Sequence, residues 1–143
     1  MEGFFQRYLS LYRPLITKMN ELMNTYDLSY SLWQVLFYIK KQGPSTLVDI
    51  SNYYHVEKPT ITRRVHRLEE LQIVEQIPGK DRREKVIKLT KRGEEIYNEC
   101  RKKITLLEHS VMEGIDQEAQ LTTFHTLPKM KDNIVKREGN FRE

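Results

Sequence analysis

The stretch from Lys58 to Arg92 constrains the chain more than any other. It reads KPTITRRVHRLEEL and then QIVEQIPGKDRREKVIKLTKR, with 11 Lys and Arg against 5 Asp and Glu. The remaining residues hold 13 against 15, so the net +4 of the whole chain originates in this one segment. Positive charge gathered on one small unit is the electrostatic footprint of a nucleic-acid reader. The first half suits a short helix and the second half a β-ribbon with a basic tip.

Proline is tolerated at the first helical position, where its missing N–H is no loss, so Pro59 predicts a helix start. Ile61, Val65 and Leu68 follow at i, i+4 and i+7 and share a face. Pro59, Arg63, His66, Arg67 and Glu70 then point the other way, with Thr60, Thr62 and Arg64 on the flanks. Arginine can grip a guanine edge bidentately, and Arg, Lys and Thr can all bond phosphate. A solvated basic face on an ordinary surface helix would show the same arginines. The elements on either side favour DNA. Upstream, Gly43-Pro44 breaks the chain and Thr46 suits an N-cap, with Asp49 three residues on as a capping-box partner. Leu47, Ile50 and Tyr54 give that helix an apolar face, and residues 55–58 connect it to the next. Two short helices, a tight turn and a basic second helix predict a helix-turn-helix. Downstream, Ile73–Ile77 and Lys85–Leu89 read as strands, with Pro78-Gly79 opening the turn between them.

Three segments carry a resemblance. Asp81-Arg82-Arg83-Glu84-Lys85-Val86-Ile87-Lys88-Leu89-Thr90-Lys91-Arg92-Gly93 resembles the wing signature of the MarR family of bacterial winged-helix transcription regulators. Lys58 to Glu69 resembles that family's recognition helix, and Leu28 to Leu36 its second helix. The likeness covers nearly the whole chain. It implies a mainly α fold of about six helices with a small β-ribbon wing, working as a homodimer on a pseudo-palindromic duplex. Recognition helices would enter major grooves, and wings would reach minor grooves, where a narrow groove favours an inserted arginine. The DNA-binding set is then Thr46, Lys58, Thr60, Thr62, Arg63, Arg64, Arg67, Lys80, Arg82 and Arg83, with Asp81 orienting the wing arginines. One departure is Gln72, which stands where such proteins usually end the recognition helix with glycine. If the backbone there is left-handed, a non-glycine residue costs about 1 kcal/mol.

Residues 1–143 are expected to form one domain of this type. Segments 1–28 and 116–143 would supply dimerisation helices, 29–92 the winged helix-turn-helix and 90–115 a long linking helix. Phe5, Leu9, Tyr12, Ile16, Met19, Met23 and Tyr26 keep a heptad-like spacing, and Phe4, Tyr8, Leu11, Leu15 and Leu22 add a second seam. A helix apolar over so much of its girth needs two surfaces to pack against. Pro14 predicts a kink or a split within it, and Pro128 a kink in the last helix. Ser29, or Ser31 with Gln34 as a capping box, would start the second helix. Thr90 caps the long helix, whose stripe is Ile96, Cys100, Ile104, Leu107 and Val111. Asp116 caps the last helix, with Leu121, Phe124, Leu127, Met130 and Ile134 apolar. A single cysteine excludes an internal disulfide framework and, with no signal-like start and no membrane-length apolar run, points to the cytoplasm.

For control of DNA binding, the resemblance implies a pocket for phenolic or other apolar anions, which Tyr8, Tyr12, Arg13, Trp33 and Phe37 would line. An aromatic cluster at helical spacing is also what plain core looks like. Cys100 on an apolar stripe suits a buried, inert thiol better than a redox sensor. His109 and Glu113 share a face, but two ligands do not make a metal site, so no metal or other cofactor is expected. No phosphate loop, nucleophile elbow or HExxH motif is present, which argues against an enzyme. The alternatives are a winged-helix interaction module for an acidic partner and a metal-responsive regulator of the same fold.

Overall fold

The computed structural model describes residues 1–81 and 83–141. Helix α1 (Phe4–Met23) is followed by a single 3-10 turn over Asn24–Tyr26. Next come α2 (Tyr30–Gln42), the two-residue strand β1 (Ser45–Thr46), α3 (Leu47–Tyr54) and α4 (Lys58–Glu70). Strands β2 (Val74–Pro78) and β3 (Lys85–Leu89) lead into α5 (Lys91–Val111) and α6 (Gln117–Phe141). The chain falls into two compact units, Met1–Thr105 and Leu106–Glu143.

The core belongs to the first unit. Val35 and Leu36 of α2, Ile50 of α3, Ile61 and Leu68 of α4, and Ile73 and Ile87 of the ribbon are all fully buried. Each fills the inward face of its element, as the 3.6-residue spacing of α4 required. The sheet is antiparallel in the order β1-β3-β2, with Val74 opposite Leu89 and Pro78 opposite Lys85. On the other edge of β3, Ser45 pairs with Ile87 and Thr46 with Val86. Sequence pattern did not reveal β1, because two residues are too few to show an alternation. Its pairing ties the start of α3 to the root of the wing.

Local capping explains most boundaries. Thr46 and Asp49 form a complete capping box at α3, with reciprocal 3.1 Å bonds. Ser29, not Ser31, caps α2 by accepting from the Leu32 N–H at 3.3 Å, so the Ser31–Gln34 box does not form. Asp27 just upstream is left-handed (φ 59°) and reverses the chain, which sets the start at Tyr30. The Asn20 side chain supports that start by accepting the Tyr30 N–H at 2.7 Å. Gln72 is left-handed (φ 61°) and closes α4 in a Schellman motif, its N–H donating to Glu69 O and that of Ile73 to Leu68 O, both at 2.9 Å.

The Leu89-Thr90-Lys91-Arg92-Gly93 run has a structural account at this same end of α4. The Thr90 hydroxyl accepts the Gly93 N–H, which caps α5, and donates to Gln72 O at 2.6 Å. Arg92 Nε donates to Leu71 O at 3.2 Å. Gly93 is required by contact, since a Cβ there would lie 2.1 Å from the Ile73 carbonyl oxygen. The end of α4 is therefore clasped to the start of α5.

One boundary and one expected break turn out differently. Pro14 does not split α1, which is one helix from Phe4 to Met23. Pro14 and Ser10 are exposed, so water can take the Ser10 carbonyl that proline leaves without a donor. Pro128 likewise lies inside a continuous α6, where Phe124 is exposed in the same way. Helix α5 stops at Val111 and not near Ile115, because a turn with left-handed Gly114 (φ 80°) precedes the Asp116 cap. That cap is made as expected, with Asp116 Oδ1 accepting the Ala119 N–H at 2.8 Å.

Candidate nucleic-acid interface

Helix α4 buries Ile61, Val65 and Leu68 and leaves Lys58, Thr62, Arg63 and Arg67 exposed on its other side. The exposed groups are lightly restrained. Arg63 Nη2 donates to Thr60 Oγ at 3.2 Å, which aims the guanidinium along the helix from a half-buried hydroxyl. Thr62 bonds Lys58 O at 3.0 Å. Arg67 pairs with Glu70 at 3.2 Å, and His66 reaches the other Glu70 oxygen at 3.2 Å. Both ends of the Arg67–Glu70 pair are about half exposed, so solvent screens it and a phosphate can displace the carboxylate at little cost.

Arg64 behaves differently. It is half-buried, and its Nη1 lies 3.4 Å from Gln34 Oε1 on α2. The Tyr54 hydroxyl of α3 donates to the Gln34 backbone oxygen at 2.7 Å. Burial, foremost, and the neighbouring Tyr53, Tyr30 and Tyr38 push the Tyr54 phenol well above its ordinary range, while Arg64 opposes them. Gln34, which the sequence offered only as a capping-box partner of Ser31, thus touches both helices of the helix-turn-helix.

At the wing, Lys80, Asp81 and Arg83 are exposed. Asp81 Oδ1 accepts the backbone N–H of Arg83 at 3.2 Å, and Glu84 N–H donates to Asp81 O at 2.9 Å. The acid thus orders the tip through main-chain bonds. Arg82 lies outside the described residues. Gly79 is needed for the short turn, because a Cβ there would sit 2.7 Å from Glu84 O. A cleft of about 690 Å³ separates the wing from the starts of α3 and α4 and brings together Thr46, Lys58, Thr62, Asp81, Arg83 and Lys85. Lys85, which the sequence placed in the wing run but not in the DNA-binding set, joins these residues from the β3 start. The Thr46 hydroxyl accepts from Asp49 N, which leaves its own hydrogen to donate.

The aromatic set is divided. Trp33 is buried and stacks on Tyr97 with 5.3 Å between ring centroids, and Phe37 packs at 6.2 Å. Tyr8, Tyr12 and Arg13 are exposed along α1. Cys100 is fully buried, and that burial pushes its thiol up to about 11, with Glu99 adding to the rise and Lys103 opposing it. Such a thiol is a core group with almost no thiolate at neutral pH. Among the described residues, no group of three or more His, Cys, Asp or Glu side chains is placed to hold a metal ion. No described helix is long and apolar enough to cross a membrane.

A basic second helix, a capped first helix tied to a ribbon, and an arginine-bearing tip define a winged helix-turn-helix protein. Residues 28–85 match the model of the MarR family. The chain is 38% identical over 100 residues to the HTH-type transcriptional regulator YwoH of Bacillus subtilis, covering 70% of this chain and 73% of that one. It is 26% identical over 142 residues to an HTH-type transcriptional regulator of Staphylococcus aureus, covering 97% of each. In structure it resembles MarR of Staphylococcus aureus in complex with salicylate and kanamycin, at 25% identity and a TM-score of 0.85, over 94% of this chain and 92% of that one. It also resembles a variant of MarR from E. coli complexed with operator DNA, at 21% identity and a TM-score of 0.80, over 90% and 94%. The chain belongs to the MarR family and is a DNA-binding transcriptional regulator, not an enzyme.

Proposed function

We propose that the protein is a homodimeric repressor of a pseudo-palindromic operator, with α4 in the major groove and the wing in the adjacent minor groove. The observation that carries this is the segregation of α4, whose apolar residues are buried while Lys58, Thr62, Arg63 and Arg67 are exposed together beside the cleft that ends at Arg83. Thr46, Lys58, Thr60, Thr62, Lys80 and Arg83 supply phosphate contacts, and Arg63 reads a base edge. The dimer rests on two apolar surfaces that the chain leaves open. Phe5 and Leu9 of α1 are 65% and 60% exposed, and Phe124 and Ile134 of α6 are 70% and 56% exposed. Solvent-facing apolar area of that kind marks an interaction surface.

Release by a small apolar anion is proposed by analogy with the salicylate complex of the Staphylococcus aureus relative. Tyr8 and Tyr12, exposed along α1, would meet the ligand's ring and Arg13 its charge, while Trp33 stays packed in the core against Tyr97 and Phe37. A ligand acts only through its preference for one spacing of the two reading heads over another. The experiment is a gel shift on the gene's own upstream duplex across a salt series, repeated with salicylate and other phenolic acids. A footprint of two half-sites about one helical turn apart is expected, with Arg63→Ala costing about 1–3 kcal/mol on that duplex. Equal losses on specific and random duplex would demote Arg63 to a phosphate contact. Retention of the shift in the presence of every phenolic acid would remove that effector class.

A further inference from the structure

Two arginines adjacent in sequence meet different surroundings on α4. Arg63 is exposed, and among the described residues its guanidinium bonds within its own helix, to Thr60. Arg64 is half-buried and reaches across to α2, where Gln34 Oε1 lies 3.4 Å away. The same Gln34 accepts the Tyr54 hydroxyl on its backbone oxygen at 2.7 Å. One residue of α2 is therefore tied to α3 through its main chain and to α4 through its side chain.

We propose that Gln34 and Arg64 are positioning residues that set the seat of the recognition helix against α2, and that Arg64 does not neutralise phosphate. This rests on α4 being the groove-entering element. The apolar packing of α4 rests on a thin stripe, Ile61, Val65 and Leu68, with polar residues such as Thr62 and Arg64 on its flanks. A polar link off that stripe resists rotation of the helix about it, and rotation would swing Arg63 away from a base edge. A half-buried guanidinium also needs its acceptor, since a desolvated donor without a partner is costly.

The test is fluorescence anisotropy of the full chain on its upstream duplex and on a random duplex of equal length, from about 50 to 200 mM salt. Gln34→Ala and Arg64→Ala are each expected to weaken binding to the upstream duplex by about five- to tenfold, with the double variant no weaker than either. The slope of log affinity against log salt should stay at its wild-type value, because no phosphate contact has gone. Gln34→Glu keeps the acceptor and should bind within about twofold of wild type, while Arg64→Lys keeps the charge but loses the fork and should weaken binding about threefold. Those two conservative variants decide the matter should either alanine variant fail to fold by thermal melting.

A slope lowered by about 0.9 in Arg64→Ala, with Arg64→Lys binding like wild type, would make Arg64 a phosphate contact and overturn the proposal. Wild-type binding by Gln34→Ala beside a weakened Arg63→Ala would overturn it alone. Wild-type binding by Arg63→Ala would remove α4 from the groove and overturn both.

Discussion

Helices α4 and α6 are both amphipathic by sequence, yet they meet opposite fates. Helix α4 buries Ile61, Val65 and Leu68 to 3% exposure or less. Helix α6 is nearly twice as long and leaves Leu121, Phe124, Leu127, Ile134 and Val135 between 41% and 70% exposed. The difference is one of supply. The three apolar positions of α4 are met by α2, α3 and the ribbon, so the reading head completes its own core. The longer stripe of α6 is not consumed in the same way, and a second copy of the chain is the proposed cover. A protein built like this has a reading head that completes its own core without the proposed contact between two copies.

The largest expected effect breaks the first half of that contrast. Leu68→Ala empties a fully buried site beneath the recognition helix. It should cost about 2–5 kcal/mol of unfolding free energy, read by urea denaturation followed by circular dichroism. A loss below about 1 kcal/mol would mean that α4 is not seated on this core. Phe124→Ala addresses the other half. The helical signal should survive at high concentration, while the dimer dissociation constant rises about tenfold or more by sedimentation equilibrium. An unchanged constant would exclude this face of α6 from the dimer contact, and a wild-type monomer would remove the dimer altogether.

The same contrast explains what the sequence could and could not disclose. Elements governed by neighbours in sequence were legible. Examples are the Thr46–Asp49 box, the proline at the start of α4, the Thr90 and Asp116 caps and both long strands of the ribbon. Features that depend on distant partners were not. Strand β1 exists because β3 lies beside it, and the inward turn of Arg64 exists because Gln34 faces it from 30 residues away. Pro14 is the opposite case, since the split that the sequence allowed there does not occur. The local rule for proline within a helix is sound, but an exposed site lets water satisfy the freed carbonyl and the helix continues. At the candidate interface, the wing tip and the outward face of α4 were legible as charge. The different contacts of Arg63 and Arg64 were not, because helical spacing places Arg64 on a flank without saying which way its long side chain turns.

The two smaller predictions sharpen the picture of the reading head as a self-sufficient unit. Gln72 occupies a left-handed position in the Schellman motif that ends α4, so Gln72→Gly should stabilise the fold by about 1 kcal/mol, seen as a higher urea midpoint at unchanged slope. The gain is bounded because glycine also raises the entropy of the unfolded chain. No gain at all would show that the motif's bonds to Glu69 and Leu68, with the Thr90 clasp, already absorb the strain.

Lys40→Ala should do least. Its Nζ lies 2.6 Å from Glu94 and 5.5 Å from the Tyr97 ring centroid, so two attractions converge on one ammonium, yet the side chains of the ion pair are 35% and 45% exposed. Solvent and salt screen a pair so placed, and the loss should stay within about 1 kcal/mol and shrink further as salt is raised. A larger, salt-insensitive loss would show that α2 and α5 are joined by charge as well as by the Trp33–Tyr97 stack. The reading head would then depend on a surface contact as well as on its filled core.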